Sequence, residues 1–132
     1  IEEKVIPAAA ESWRVTNGGR TFIFKLRPGM TFHDGTPVTA KDFRYAFDRI
    51  ALKENASDLA YTLDLVEGFE EVNQLGDTDK LTGLKTPTAT TLEITLSEPF
   101  RDFPAVLTHP GLVPLREDAV QAREVLVAFR QA

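Results

Sequence analysis

The stretch TFIFKLRPGMTFHDGTPVTAKDFRYAF, residues 21–47, determines how this chain folds. It opens with apolar residues at every second position, Phe22, Phe24 and Leu26, which is typical of a β-strand with one buried face. It closes with apolar residues at helical spacing, and Pro and Gly residues that favour turns separate the two patterns. A strand, a tightly turned loop and an amphipathic helix are therefore expected in that order.

The helix is predicted to begin after Thr39. This residue is a suitable N-cap, and Asp42 lies three positions further on, as in a capping box. Phe43, Phe47 and Ile50 then recur on one helical face. We expect that face to cover the phenylalanines of the preceding strand.

Two β-hairpins are predicted, one on each side of this helix in the sequence. The first pairs residues 12–15 with residues 21–26 across an Asn-Gly-Gly turn, whose residues tolerate the positive φ of tight turns. The second pairs residues 84–86 with residues 91–96, where apolar and polar residues again alternate.

Further helical segments are predicted between and after the hairpins. Residues 59–75 have the periodicity of two short helices or one kinked helix, and a short helix begins near Arg101 because Pro104 is tolerated only in a first turn. The polar stretch 76–83 is expected to be a surface loop of freely variable length. The fold class is therefore α+β, a small mixed or antiparallel sheet packed with several short helices.

Composition excludes several functional classes. The 132 residues suit one domain, and 20 Asp and Glu against 15 Lys and Arg give a net charge of −5, which argues against nucleic acid as a partner. The absence of Cys removes disulfides, thiolate metal sites and Cys nucleophiles. The sequence starts at Ile1 without a signal-peptide pattern, so a processed protein or a piece of a longer one is expected.

Catalytic chemistry has little support. His33 and His109 are the only imidazoles, and His33 beside Asp34 is better explained as a turn residue than as a metal ligand. No Gly-x-Ser-x-Gly motif and no phosphate-binding glycine loop occurs. We therefore expect no catalytic residue, no metal and no cofactor, with a small hydrolase using one of the histidines as a distant alternative.

Most aromatic residues lie at core-facing positions, with two exceptions. Trp13 begins a strand and Tyr61 lies in the break after the long helix, where an aromatic ring with a polar tip could face a cleft. Packing is the favoured interpretation of both, and a ligand contact is the alternative.

Two ordered stretches resemble the family 5 extracytoplasmic solute-binding proteins, the oligopeptide, dipeptide and nickel binders of ABC importers. The first contains AESW at 10–13, FKLRPG at 24–29 and FHDGTPVTAKDF at 32–43. The second contains LEITLSEP at 92–99 and continues through Phe103 and Leu107 to HPGLVP at 109–114.

The resemblance covers residues 7 to about 115 and implies the small second domain of such a receptor, since proteins of the family are several times longer. In them a peptide is enclosed between the first and third domains, so the resemblance implies a scaffolding role here and a main pocket outside this chain. We expect one domain over residues 1–132, with 116–132 as a terminal helix beyond the resemblance.

The resemblance also implies partners and location. It implies a peptide ligand bound through the full-length protein, a membrane permease, an extracytoplasmic location in the periplasm or as a cell-surface lipoprotein, and a monomeric isolated domain. A stand-alone interaction module that uses this fold without ligand capture is the alternative, and a short reading frame ending near Ala132 would favour it.

One ligand contact is implied residue by residue. In oligopeptide binders of this family the loop after the long helix approaches the peptide with an aromatic side chain. Matching the Ala-Ser pair at 56–57 places Leu59 at that position, with Tyr61 two residues further on. Because Leu59 has no hydroxyl group, a contact through Tyr61 is the hypothesis.

Overall fold

An antiparallel sheet organises the computed structural model, which describes residues 9–55, 57–109 and 112–120. The strands and α-helices, in chain order, are β1 Ala10–Thr16, β2 Thr21–Leu26, α1 Ala40–Ala51, α2 Phe69–Asn73, β3 Leu84–Thr88, β4 Thr91–Thr95 and α3 Phe103–Val106. The strand order is β1-β2-β4-β3. The predicted α+β class is confirmed, and every pairing in this sheet is antiparallel.

Both predicted hairpins form, and they meet at the centre of the sheet. Strand β2 pairs with β4, which places Phe22 opposite Ile94 and Phe24 opposite Leu92. All four side chains are fully buried. The alternation seen in the sequence therefore marks the inward face of the sheet correctly.

Helix α1 begins where the sequence predicts. The Asp42 carboxylate accepts a hydrogen bond from the Thr39 backbone N–H at 2.8 Å, as in a capping box. The Ala40 N–H donates to the Ala89 carbonyl in the β3–β4 turn at 2.8 Å, so the helix starts against the second hairpin. As a result α1 packs mainly over β3 and β4.

The first hairpin is covered by a different helix, α3. The Phe103 ring of α3 lies 5.6 Å from the Phe22 ring, centroid to centroid, and both side chains are buried. Pro104 stands in the first turn of α3, as predicted. Helices from both halves of the chain thus complete one core.

Residues 59–75 form two short helices, which confirms one of the two predicted alternatives. A 3-10 helix spans Ala60–Leu63, and α2 follows after Gly68, whose φ of 90° lies in the left-handed region. A helix cannot continue through this conformation, so α2 starts only after the glycine.

The prediction for residues 76–83 is wrong in part. Most of the stretch is exposed, but Leu81 is completely buried and Gly83 is also buried. Gly83 accepts a hydrogen bond from the Thr95 N–H at 2.8 Å and donates one to the Glu67 carbonyl at 2.9 Å. Because the end of the loop is fixed in the core, its length is not freely variable.

The terminal helix is seen only at its start. Residues 117–120 are helical, and residues 121–132 lie outside the described residues. The preceding segment is anchored, since the Leu115 N–H donates to the Asp42 carbonyl at 3.2 Å and Leu112 is fully buried.

Replacement of Gly83 by Ala should destabilise the protein. A Cβ at this position would overlap the Thr95 carbonyl oxygen and approach the Glu67 nitrogen to 3.0 Å, and both are backbone atoms. We expect a loss of about 2 kcal/mol or more of unfolding free energy, measured by urea denaturation, because backbone must shift to relieve the overlap.

Gly29→Ala is the matched control. Its Cβ would meet nothing within 4 Å, so only the cost of the positive φ of 83° remains, about 1 kcal/mol. Equal losses for the two variants would contradict the close packing at Gly83.

Candidate functional site

Tyr61 is presented on an ordered surface turn. Its side chain is 65% exposed, whereas the next two residues, Thr62 and Leu63, are buried. The Leu59 N–H donates to the Ser57 hydroxyl at 3.1 Å, and the Thr62 hydroxyl donates to the Leu59 carbonyl at 2.6 Å. An exposed aromatic ring on a turn fixed in this way can contact a ligand or a partner with little loss of backbone entropy.

The two residues proposed to lie near a ligand occupy the same turn. Leu59 is half-buried at the N-cap of the 3-10 helix that carries Tyr61. Its backbone takes part in both of the side-chain hydrogen bonds described above, so Leu59 has a clear structural role. Their contact with a ligand stays a prediction.

A buried carboxylate at Asp48 was missed by the sequence reasoning. The residue is only 7% exposed and lies in the wall of a cleft of about 490 Å³ beside α1. Its carboxylate accepts a hydrogen bond from the Leu81 N–H at 2.8 Å and lies 3.6 Å from the Arg44 guanidinium. The i, i+4 spacing of Arg44 and Asp48 was the available signal, but such pairs are common on exposed helix faces.

Burial changes the acidity of Asp48. Loss of solvent raises its pKa to about 6, and the Leu81 N–H and Arg44 oppose this only in part. A carboxyl group with a raised pKa in a cleft is a candidate functional group. Here the Asp48 carboxylate has a structural role, because it connects α1 to the buried end of the 76–83 loop.

The cleft has charges of both signs on its walls. Basic and acidic side chains from α1, the 76–83 loop and the C-terminal segment line it: Lys41, Arg44, Arg49, Lys80, Asp79 and Glu117. Charges of both signs therefore share one wall, and neither sign stands alone in the cleft.

Asp34 is a turn residue, in agreement with the sequence interpretation. Its carboxylate accepts the Thr36 N–H at 3.0 Å and pairs with the Arg116 guanidinium. The Thr36 hydrogen bonds, with help from Arg116, hold the pKa of Asp34 below its ordinary value. A carboxylate engaged in this way does not act as a base beside His33, which is exposed.

Trp13 is not a core residue. Its ring lies 5.8 Å from the Phe24 ring, but 43% of the side chain is exposed. The favoured packing interpretation is therefore correct only for one side of the indole.

Residues 9–55, 57–109 and 112–120 contain neither a candidate membrane span nor a candidate metal site. No helix in these ranges is both long and apolar enough to span a bilayer. No group of three or more His, Asp or Glu side chains in the same ranges could hold a metal ion.

Comparison with known proteins identifies the family. The sequence model of the bacterial extracellular solute-binding proteins, family 5 Middle, matches residues 4–125. The chain belongs to family 5 of the bacterial extracellular solute-binding proteins, as the two sequence stretches indicated. The match extends past Leu115 into the segment that was expected to lie beyond the resemblance.

Individual relatives agree with this assignment. The chain is 35% identical to the probable deoxycholate-binding periplasmic protein YgiS of Escherichia coli, over 86% of this chain and 22% of that protein. It is 33% identical to the periplasmic oligopeptide-binding protein OppA of Salmonella typhimurium, over 92% of this chain and 22% of that protein.

A solved structure also supports the family assignment. Haemophilus influenzae OppA in complex with RPPGFSPFR superposes with a TM-score of 0.81 at 28% identity, over 86% of this chain and 23% of that chain. The present chain therefore spans about a fifth of the length of the relatives it matches.

The buried Asp48 should make stability fall as pH rises. Its pKa is 3.8 in the unfolded chain and about 6 in the folded one, so the folded state binds more protons between these values. Asp48→Asn removes the titrating carboxyl group but keeps an amide oxygen that can accept the Leu81 N–H. Between pH 4 and pH 7, the unfolding free energy of the unmodified protein should fall by up to about 3 kcal/mol relative to that of Asp48→Asn.

Urea unfolding of both proteins across this pH range measures the difference. Asp77→Asn, at an exposed position on the surface loop, is the control, and as a surface substitution it should change the unfolding free energy by no more than about 0.5 kcal/mol. A constant difference between Asp48→Asn and the unmodified protein would show that Asp48 does not titrate in this range.

Proposed function

We propose that this chain is part of the substrate-binding component of an ABC importer for peptides, and that it has no enzymatic role. Membership of the solute-binding family over residues 4–125 is the observation that carries this proposal. The names of the relatives support a peptide ligand, since one is an oligopeptide-binding protein and one solved structure is a peptide complex.

The proposed role of the chain within such a receptor is scaffolding. The described residues place most of their large apolar side chains in one core and present a cleft lined by charges of both signs. The main peptide pocket is proposed to lie in the rest of the receptor, because the relatives are about four to five times longer than the chain.

Tyr61 is the proposed point at which the scaffold reaches the ligand. Its exposed ring and the hydrogen-bonded turn beneath it support a direct contact, with Leu59 beside it. A peptide backbone could stack on the ring or accept a hydrogen bond from the phenol group.

Partners and location follow from the same proposal. The full-length receptor would act outside the cytoplasm, in the periplasm or as a surface lipoprotein, and would deliver its ligand to a membrane permease. The name of the Salmonella relative, a periplasmic protein, supports this location. We propose that the domain itself is monomeric.

The ligand class can be tested on the full-length protein that contains this chain. Mass spectrometry of small molecules released from the purified receptor should find peptides, and calorimetric titration with a peptide mixture should give saturable binding. Deoxycholate is the comparison ligand because one relative is named for it. Binding of deoxycholate, a metal chelate or a sugar without peptide binding would contradict the proposal.

Tyr61→Ala in the full-length receptor should weaken peptide binding. Loss of one aromatic contact worth about 1 kcal/mol corresponds to roughly a fivefold rise in Kd, measured by the same titration. Leu75→Ala is the matched control, since Leu75 is also apolar and 57% exposed but follows α2. Unchanged affinity for Tyr61→Ala would remove Tyr61 from the ligand site and leave the peptide proposal standing.

A further inference from the structure

The turn of the first hairpin contains an Asn-Gly pair at the protein surface. Asn17 and Gly18 follow the last residue of β1, and the pairing of β1 with β2 ends with Thr16 opposite Thr21. Both residues of the Asn-Gly pair are exposed. A Cβ added to Gly18 would meet nothing within 4 Å, so the space around its backbone is open.

This turn is held by long hydrogen bonds. The Asn17 carbonyl accepts from the Arg20 N–H at 3.3 Å, and the Asn17 side-chain amide donates to the Thr21 hydroxyl at 3.4 Å. The Phe100 N–H donates to the Gly19 carbonyl at 3.4 Å. These distances lie beyond the usual range for N–H···O bonds, so the turn can depart from its mean conformation at a modest cost.

The other two asparagines of the chain have different surroundings. The Asn55 side chain donates to the Arg49 carbonyl at 2.9 Å, and the Asn73 side chain donates to the Ala51 carbonyl at 3.0 Å. Each lies in a helical segment, and each is followed in sequence by a residue with a side chain. Of the three asparagines, Asn17 alone therefore combines exposure, a long side-chain hydrogen bond and a glycine neighbour.

We propose that Asn17 is a site of spontaneous deamidation in the folded protein and that isoaspartate accumulates there. The Gly18 backbone nitrogen attacks Cγ of Asn17, the new C–N bond closes a succinimide ring, and the Cγ–Nδ2 bond breaks. The amide nitrogen leaves as ammonia and takes with it the proton lost from the Gly18 nitrogen. Water then adds to either ring carbonyl, and the ring opens to aspartate or isoaspartate.

Glycine at position 18 favours the attack for a steric reason. It has no Cβ to obstruct the approach of its nitrogen to the Asn17 side chain, and it adopts more backbone conformations than any other residue. The hydrogen bond that closes the turn uses the Arg20 N–H and not the Gly18 N–H. The attacking nitrogen is therefore not the donor on which closure of the turn depends.

The Asp34-Gly35 pair in the next loop provides a contrast within the same chain. Aspartate before glycine can form the same succinimide, but only when its carboxyl group is protonated and can lose water. The Thr36 N–H and the Arg116 guanidinium bind the Asp34 carboxylate, and the Thr36 hydrogen bonds, with help from Arg116, hold its pKa below the ordinary value. We therefore expect Asp34 to stay unmodified where Asn17 reacts.

The two products affect the hairpin differently. In the described part of the chain, Asn17 is the only non-glycine residue with a positive φ, which is 55°. Aspartate tolerates this conformation, so the aspartate product keeps the turn and adds one negative charge. Isoaspartate has one more carbon atom in the main chain, which alters the turn that sets the pairing of Thr16 with Thr21.

Peptide mapping of the full-length protein that contains this chain tests the proposal. The protein is incubated at mildly alkaline pH and digested with trypsin, which cleaves after Arg14 and Arg20 and releases VTNGGR, residues 15–20. The deamidated form of this peptide should accumulate over days, and a sample digested without incubation gives the baseline. Labelling by a protein isoaspartyl methyltransferase with S-adenosylmethionine then identifies isoaspartate.

The same digest contains an internal control. Residues 54–80 form one tryptic peptide that includes Asn55 and Asn73, and this peptide should stay unmodified over the same period. Conversion of either residue as fast as that of Asn17 would contradict the selectivity inferred from the structure.

Gly18→Ala is the matched variant. Its Cβ has open space, so the turn is disturbed only through the positive φ of 66°. A methyl group beside the attacking nitrogen should slow the conversion of Asn17 about tenfold or more, which requires a rise in the barrier of only about 1.4 kcal/mol. An unchanged rate would show that the reaction does not proceed through the Gly18 nitrogen.

The unfolded protein gives the reference rate. In guanidinium chloride Asn17 reacts without constraint from the fold, and the folded protein should convert at no less than about a tenth of that rate, since long hydrogen bonds impose a small conformational cost. Conversion in the unfolded protein with none in the folded protein would overturn the proposal. Peptide binding is not needed for Asn17 to react, so this outcome is independent of the proposed function.

Discussion

The pairing of β2 with β4 is the interaction on which the rest of this fold depends. It joins two hairpins that lie far apart in the sequence and aligns Phe22 with Ile94 and Phe24 with Leu92 in one buried row. Each hairpin alone would be marginal in water, because a two-stranded ribbon cannot bury an apolar face by itself. This pairing forms the continuous surface on which helices from both halves of the chain pack.

Backbone hydrogen bonds then fix the segments that connect the hairpins. Glu67, Gly83 and Thr95 form a closed junction in which each residue pairs with another through its backbone, at distances between 2.8 and 2.9 Å. Asp48 adds a side-chain bond from α1 to Leu81 in the same region. A loop that is polar in sequence is therefore held at its end by one junction and one buried carboxylate, while its middle faces solvent.

The sequence predicted the elements that depend on local patterns. Alternation identified β2 and β4, a capping residue located the start of α1, and Pro104 located α3, since each signal lies within a few residues of its effect. Three features were not predictable: the buried end of the 76–83 loop, the position of α1 over the second hairpin and the burial of Asp48. Each depends on partners in other elements, 12 and 16 positions from Gly83, 49 from Ala40 and 33 from Asp48.

The candidate site also has features that the sequence predicted and features that it did not. The turn role of Asp34 agrees with the sequence interpretation, and the family was identified from two sequence stretches. The packing that the sequence favoured for Tyr61 is wrong, because its ring is exposed. The exposure of Trp13 was not foreseen, because the alternation that places it on the inward face gives no information on whether a helix reaches that strand.

Several contacts of this fold join residues that are far apart in sequence, and this separation affects how the chain folds. Arg20 contacts Leu96, Thr21 contacts Thr95, and Asp34 pairs with Arg116 across 82 positions. Contacts of this kind must wait until a long intervening segment has been made and its loop closed, so folding is slow compared with that of a helical bundle of equal size. During synthesis, β2 stays without its central neighbour until about 70 further residues have emerged, and over that interval the most apolar strand of the sheet is open to other partners.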